Sequence, residues 1–120
     1  MDIHDTNAIN EERTLCAASA YKKKYYLNPM FEKLPEGIKQ ELQIISVLFV
    51  EEIGGRFVMG FDEEGNLLLQ TDSLASDYNY DDIGAALMIK EIQKNRGELL
   101  SQLEMFYKVM VLGQSPDDLF

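Results

Sequence analysis

Cysteine occurs once in this 120-residue chain, at Cys16, and histidine once, at His4. A lone cysteine excludes an intrachain disulfide, and the pair cannot supply the four ligands of a tetrahedral zinc site. They also make a poor nucleophile–base couple, because on one helix the step from position 4 to position 16 would span about 18 Å. Cys16, flanked by Ala17 and Ala18, reads as a small buried residue, and His4 as part of a loose terminus. Long apolar runs are missing too. No stretch of about 18 apolar residues suggests a membrane-spanning helix, and the acidic start Met1-Asp2-Ile3-His4-Asp5 lacks the apolar region of a secretory signal. A soluble protein of a reducing cytoplasm is the expectation.

Basic residues are scarce. Lys and Arg number 11 against 21 Asp and Glu, a formal net charge of -10. Residues 1–34 balance to zero, residues 35–72 carry -6 and residues 73–120 carry -4. Phosphate backbones are repelled by such a surface, so no nucleic-acid partner is expected. The mixture Tyr21-Lys22-Lys23-Lys24-Tyr25-Tyr26 imitates an RNA binder but reads equally well as the basic end of a helix.

What the chain does have is apolar content, 46% of residues, which is ample for a core in a single domain. That domain is expected over residues 10–113, between flexible ends at 1–9 and 114–120. The spacing predicts a helix from Asn10 to Tyr26, with Asn10 as N-cap, acids Glu11 and Glu12 in its first turn and the lysines at its end. Asn28-Pro29 stops it. Met30, Phe31 and Leu34 form an apolar connector, and Pro35 opens a short helix from Glu36 to Leu42. The β-branched run Ile44 to Val50 reads as a strand, Gly54-Gly55 as a hairpin turn, Arg56 to Phe61 as a second strand and Leu67 to Thr71 as a third. Short loops between them imply an antiparallel meander. Both faces of the Ile44–Val50 segment are apolar, which calls for helices on both sides or a dimer contact.

After an acidic loop at 72–82, a helical pattern runs from Ile83 to Leu112. Ala85, Ile89, Ile92, Arg96, Leu99, Leu103, Phe106 and Met110 recur as the stripe of one seam. The helix is either continuous or broken at Asn95-Arg96-Gly97, where glycine costs about 1 kcal/mol relative to alanine. Unbroken, it would run about 45 Å against strands of about 20–24 Å. Its second half is rich in apolar residues that need cover: the first helix, a second copy, or a foreign protein, in that order of preference. Leu99, Leu103, Phe106, Tyr107 and Met110 are the candidate interface.

Acidic clusters carry little chemistry. Asp77-Tyr78-Asn79-Tyr80-Asp81 starts like a calcium loop, but Asp82 stands where glycine is needed and Met88 where a bidentate glutamate belongs. Asp81 or Asp82 is instead expected to cap the helix. Glu51 and Glu52 on a strand would face opposite ways, and Asp62-Glu63-Glu64 sits in a turn. No catalytic residue, cofactor or metal ligand is assigned.

Four segments are together familiar: Leu27 to Pro35, Glu51-Glu52-Ile53-Gly54-Gly55, Phe61 to Asn66, and Tyr80-Asp81-Asp82-Ile83-Gly84. They resemble a family of small uncharacterised proteins of clostridial Firmicutes, classed as a domain of unknown function, over roughly Leu15 to Gly113. The resemblance implies no site residues. The fold expected is α+β: an N-terminal helix, a short helix, a three-stranded antiparallel meander and the long C-terminal helix. The function expected is non-enzymatic, a homodimeric protein–protein interaction domain. Alternatives are a chaperone-like adaptor holding a partner segment, an Mg²⁺-dependent enzyme in which Asp77, Asp81 and Asp82 converge with Glu63 or Glu64, and an acidic mimic of nucleic acid. Acids clustered in turns, rather than spaced along one face, count against the last.

Overall fold

The structure is a computed structural model and describes residues 9–115. His4, and most of the flexible ends expected at 1–9 and 114–120, lie outside the described residues. The chain begins with a hairpin where a helix is expected. Asn10 does cap, accepting a hydrogen bond from Arg13 N at 3.0 Å, but only for a single 3-10 turn, Glu11–Arg13. Strand β1, Thr14–Ser19, follows and turns back into β2, Lys24–Leu27. The lysines sit in and after this turn, with Lys23 at φ 53°. Cys16 and Ala18 alternate toward the core, facing Leu27 and Tyr25 on β2. A register shift between Thr14 and Cys16 lets Leu15 turn inward as well.

Ile44–Val50, expected as a strand, is helix. Helix α1 starts at Glu36 as expected from Pro35, but runs on to Ile53. Leu42, Ile45, Ser46, Phe49, Val50 and Ile53 are its buried residues, spaced 3, 1, 3, 1 and 3 apart, which is a helical stripe. Burial on that stripe outweighs the modest strand preference of β-branched residues. Gly54 and Gly55 end the helix, with φ of 93° and 70°, and do not form a hairpin. At Gly55 a Cβ would collide with the carbonyl oxygen of Asp72 and the ring of Tyr80, so the chain passes there only as glycine.

Strands β3, Arg56–Phe61, and β4, Leu67–Asp72, form the expected hairpin. Among the described residues the sheet has four antiparallel strands in the order β2-β1-β3-β4, so the central pairing joins Cys16 to Met59 and Ala18 to Phe57 across a long stretch of sequence. The C-terminal pattern breaks at Arg96 into α2, Asp82–Asn95, and α3, Gly97–Met110.

Helices α1 and α3 cover one sheet face, and α2 packs against both helices. Phe49 of α1 stacks on Phe57, with centroids 4.4 Å apart, and Tyr107 of α3 stacks on Phe61 at 4.0 Å. Phe31, from the connector after β2, fills the space beside Phe61, Phe106 and Tyr107. The apolar stripe of α3 is thus covered by Phe31 and β3 and not by an N-terminal helix. The other sheet face presents Ala17, Tyr26, Val58 and Leu68, and Ile9 lies over Gly60. Among the described residues no helix is long and apolar enough to cross a membrane.

Candidate functional site

The turn geometry of α1 decides what the surface offers. With Ile45 and Phe49 inward, Ile44 and Leu48 are carried four residues apart onto an outer flank, 51% and 52% exposed. Helix α2 lies alongside. Its Asp81 N-cap accepts a hydrogen bond from Gly84 N at 2.9 Å, and Ala85 and Ile92 face inward. Leu87 is 63% exposed and Met88 half-buried on the side toward α1.

Between the two helices run two hollows. One, of about 160 Å³, is lined by Ile44, Leu48, Ile92 and Arg96 among others, and the next, of about 230 Å³, by Glu52, Ile53, Gly84 and Leu87. Met88 and Glu91 line both, so they form one groove. Its far end is closed by an ion pair from Arg96 to Glu41. Glu52 and Glu91 stand on its walls, and among the described residues neither has an ion-pair partner. Lys90 and Lys94 of α2 do not line it.

A second cleft, about 580 Å³, opens between the β1–β2 turn and α1 and is lined by Ser19, Lys23, Lys24, Tyr25, Gln43 and Glu51, with Val47 and Val50. Beneath it lies a small polar island. Cys16 Sγ is 3.6 Å from Ser46 Oγ, and both residues are fully buried. Burial pushes the Cys16 thiol up to about 11, with the Ser46 hydroxyl pulling slightly the other way. Such a thiol stays protonated at neutral pH and is no nucleophile. The Tyr25 hydroxyl lies next to it, raised first by burial and then by Cys16, and among the described residues it makes no hydrogen bond of normal geometry.

The candidate interface on the last helix is distributed unequally. Leu99, Leu103 and Tyr107 are buried within the chain, Phe106 is half-buried against Phe31, and Met110 is 67% exposed beside the exposed Val111 and Leu112. The carboxylates that an Mg²⁺ enzyme would need are engaged apart from one another. Asp77 accepts from Tyr21 Oη at 2.6 Å and Asn79 N, Asp81 caps α2 and Asp82 is its first residue, while Glu63 and Glu64 lie in the β3–β4 turn. Among the described residues no three His, Cys, Asp or Glu side chains converge as a metal would require. The 77–81 segment is an irregular loop tied to Tyr21, which also accepts from Leu74 N.

Ile44, Leu48, Leu87 and Glu91 were not singled out from the sequence as site residues. The Ile44–Leu48 spacing puts both side chains on one side of a strand or a helix alike, so it does not reveal that α2 lies alongside them.

Residues 12–115 match the model of a family of unknown function, DUF6145. No curated protein and no solved structure matches the chain.

Proposed function

Since the chain belongs to the family of unknown function DUF6145, we propose its role from its surfaces: a non-enzymatic protein–protein interaction domain. One observation carries this reading. Ile44, Leu48 and Leu87 are large, apolar and more than half exposed, and they share one groove instead of being scattered. Contiguous apolar surface of that kind is kept for contact, whereas isolated exposed residues are ordinary.

The test is cross-linked capture from cells that make the chain, comparing wild type with Leu48→Asp and Met110→Asp. A partner recovered with wild type and lost with one of these folded variants supports the reading. A recovery pattern identical for all three, at equal thermal stability, overturns it.

A second reading, homodimerisation, is favoured by a separate cluster at the end of α3. Met105, Met110, Val111 and Leu112 are all exposed there, next to the half-buried Phe106. A copy seated on this cluster would extend the apolar stripe of α3 across a two-fold axis. Sedimentation velocity at high micromolar concentration checks it: wild type is expected to sediment as a dimer and Met110→Asp as a monomer. A wild-type monomer removes it.

A further inference from the structure

We propose that the α1–α2 groove is a docking site for a basic amphipathic helix of a partner protein. The site rests on the interaction-domain reading and states what the partner must look like. Its lining includes the apolar Ile44, Leu48, Leu87 and Met88 beside the carboxylates of Glu52 and Glu91, which have no ion-pair partner among the described residues. Apolar side chains in water are covered at a gain, and carboxylates beside them are desolvated at a cost unless a cation meets them. A helix with apolar residues at i, i+4 and i+7 and Lys or Arg on both flanks satisfies both demands at once.

Dimensions agree. From Gly84 to Asn95 the groove follows α2 for about 16 Å, which three turns of helix would fill. The opening lies between two helices, the setting in which a third packs ridge into groove.

Charge also rejects the other occupants. A second copy would place Glu52 and Glu91 against acids of an identical surface in a chain of net charge -10. The two segments outside the described residues, 1–8 and 116–120, contain Asp2, Asp5, Asp117 and Asp118 and no Lys or Arg. Neither has the sign the groove requires.

The experiment uses the full chain and two fluorescent 14-residue helical peptides with the same leucine stripe, one with lysine flanks and one with glutamate flanks. Anisotropy is expected to show binding of the lysine peptide, weakening as salt rises, and none of the glutamate peptide. Leu48→Asp is the deciding variant. It adds an acid, so unspecific charge attraction would strengthen binding, whereas docking in the groove would weaken it at least tenfold. Leu87→Asp, on the other helix, provides the same reading if Leu48→Asp unfolds, and Glu52→Gln with Glu91→Gln should weaken binding severalfold. Equal or tighter binding by the Asp variants, or none by wild type, overturns the proposal. So does self-association of wild type that Leu48→Asp abolishes, since the occupant is then a second copy. Peptide failure alongside intact partner capture removes the groove assignment alone. Failed capture removes the wider reading.

Discussion

The Asp62 side chain shows how much one residue can organise. It accepts hydrogen bonds from Glu64 N and Asn66 N, both at 2.9 Å, and from Asn66 Nδ2, closing the turn between β3 and β4. Partial burial pushes its carboxyl up, but the donors from Asn66, Glu64 and Gly65 outweigh it, and the net shift is downward. A folded pKa below the unfolded one means that this stabilisation is present above the ordinary aspartate range and is lost as pH falls through the folded value. Asp62→Ala should cost about 1 kcal/mol at pH 7, and its deficit relative to wild type should shrink on acidification. Urea titrations at pH 7 and pH 3 check this, and a constant deficit would contradict it. The cap of α2 is decided at the same scale. Asp81, not Asp82, accepts from Gly84 N. Asp81→Ala is therefore expected to lower stability by about 1 kcal/mol, with Asp82→Ala close to neutral in the same melts.

At the scale of the element, α1 is the part of the fold that sequence pattern most readily misassigns, and neighbouring isoleucines report on it. Ile45 is buried and Ile44 half exposed. Ile45→Ala should cost about 2–5 kcal/mol, while Ile44→Ala should change stability by less than about 0.5 kcal/mol. Similar losses at both positions in denaturant titration would argue against this helix. The segment was illegible as helix because Ile44, Ile45, Val47 and Val50 together signal a strand, while the stripe from Leu42 to Ile53 that decides the matter extends beyond the apolar run on both sides. The opening hairpin was hidden differently. Asn10 is a real cap, but β1 is fixed by partners such as Phe57 and Met59 some 40 positions away, information that no local window holds, and β2 forms on β1. By contrast β3 and β4 were readable, since Phe57, Met59 and Phe61 alternate cleanly beside a turn rich in Asp, Gly and Asn. The break at Arg96 was legible as one of two alternatives, and from it the Arg96 side chain reaches Glu41 of α1. The groove could not be read at all. It exists only because α1 and α2 lie side by side, and the α1 half reads locally as a strand.

Across the whole molecule, acids dominate the surface and aromatic rings fill the interior, and the two sides of the fold are unequal. One sheet face is sealed by α1 and α3, while the flank where α1 meets α2 leaves apolar side chains in water. The sealed side has a practical corollary. Its only sulfhydryl, at Cys16, is fully buried and held protonated, with a pKa near 11. A disulfide reagent such as Ellman's can reach it only when β1 parts from α1, so colour development becomes a clock for opening of the whole fold. Native protein at pH 8 should react at least a hundredfold more slowly than protein in 6 M guanidinium, and the logarithm of the rate should rise in proportion to each destabilised variant's lost stability, about tenfold per 1.4 kcal/mol. A fast native reaction would show that the strand separates on its own. Nature has placed a single tracer atom at the centre of the molecule, and no label needs to be added to follow its breathing.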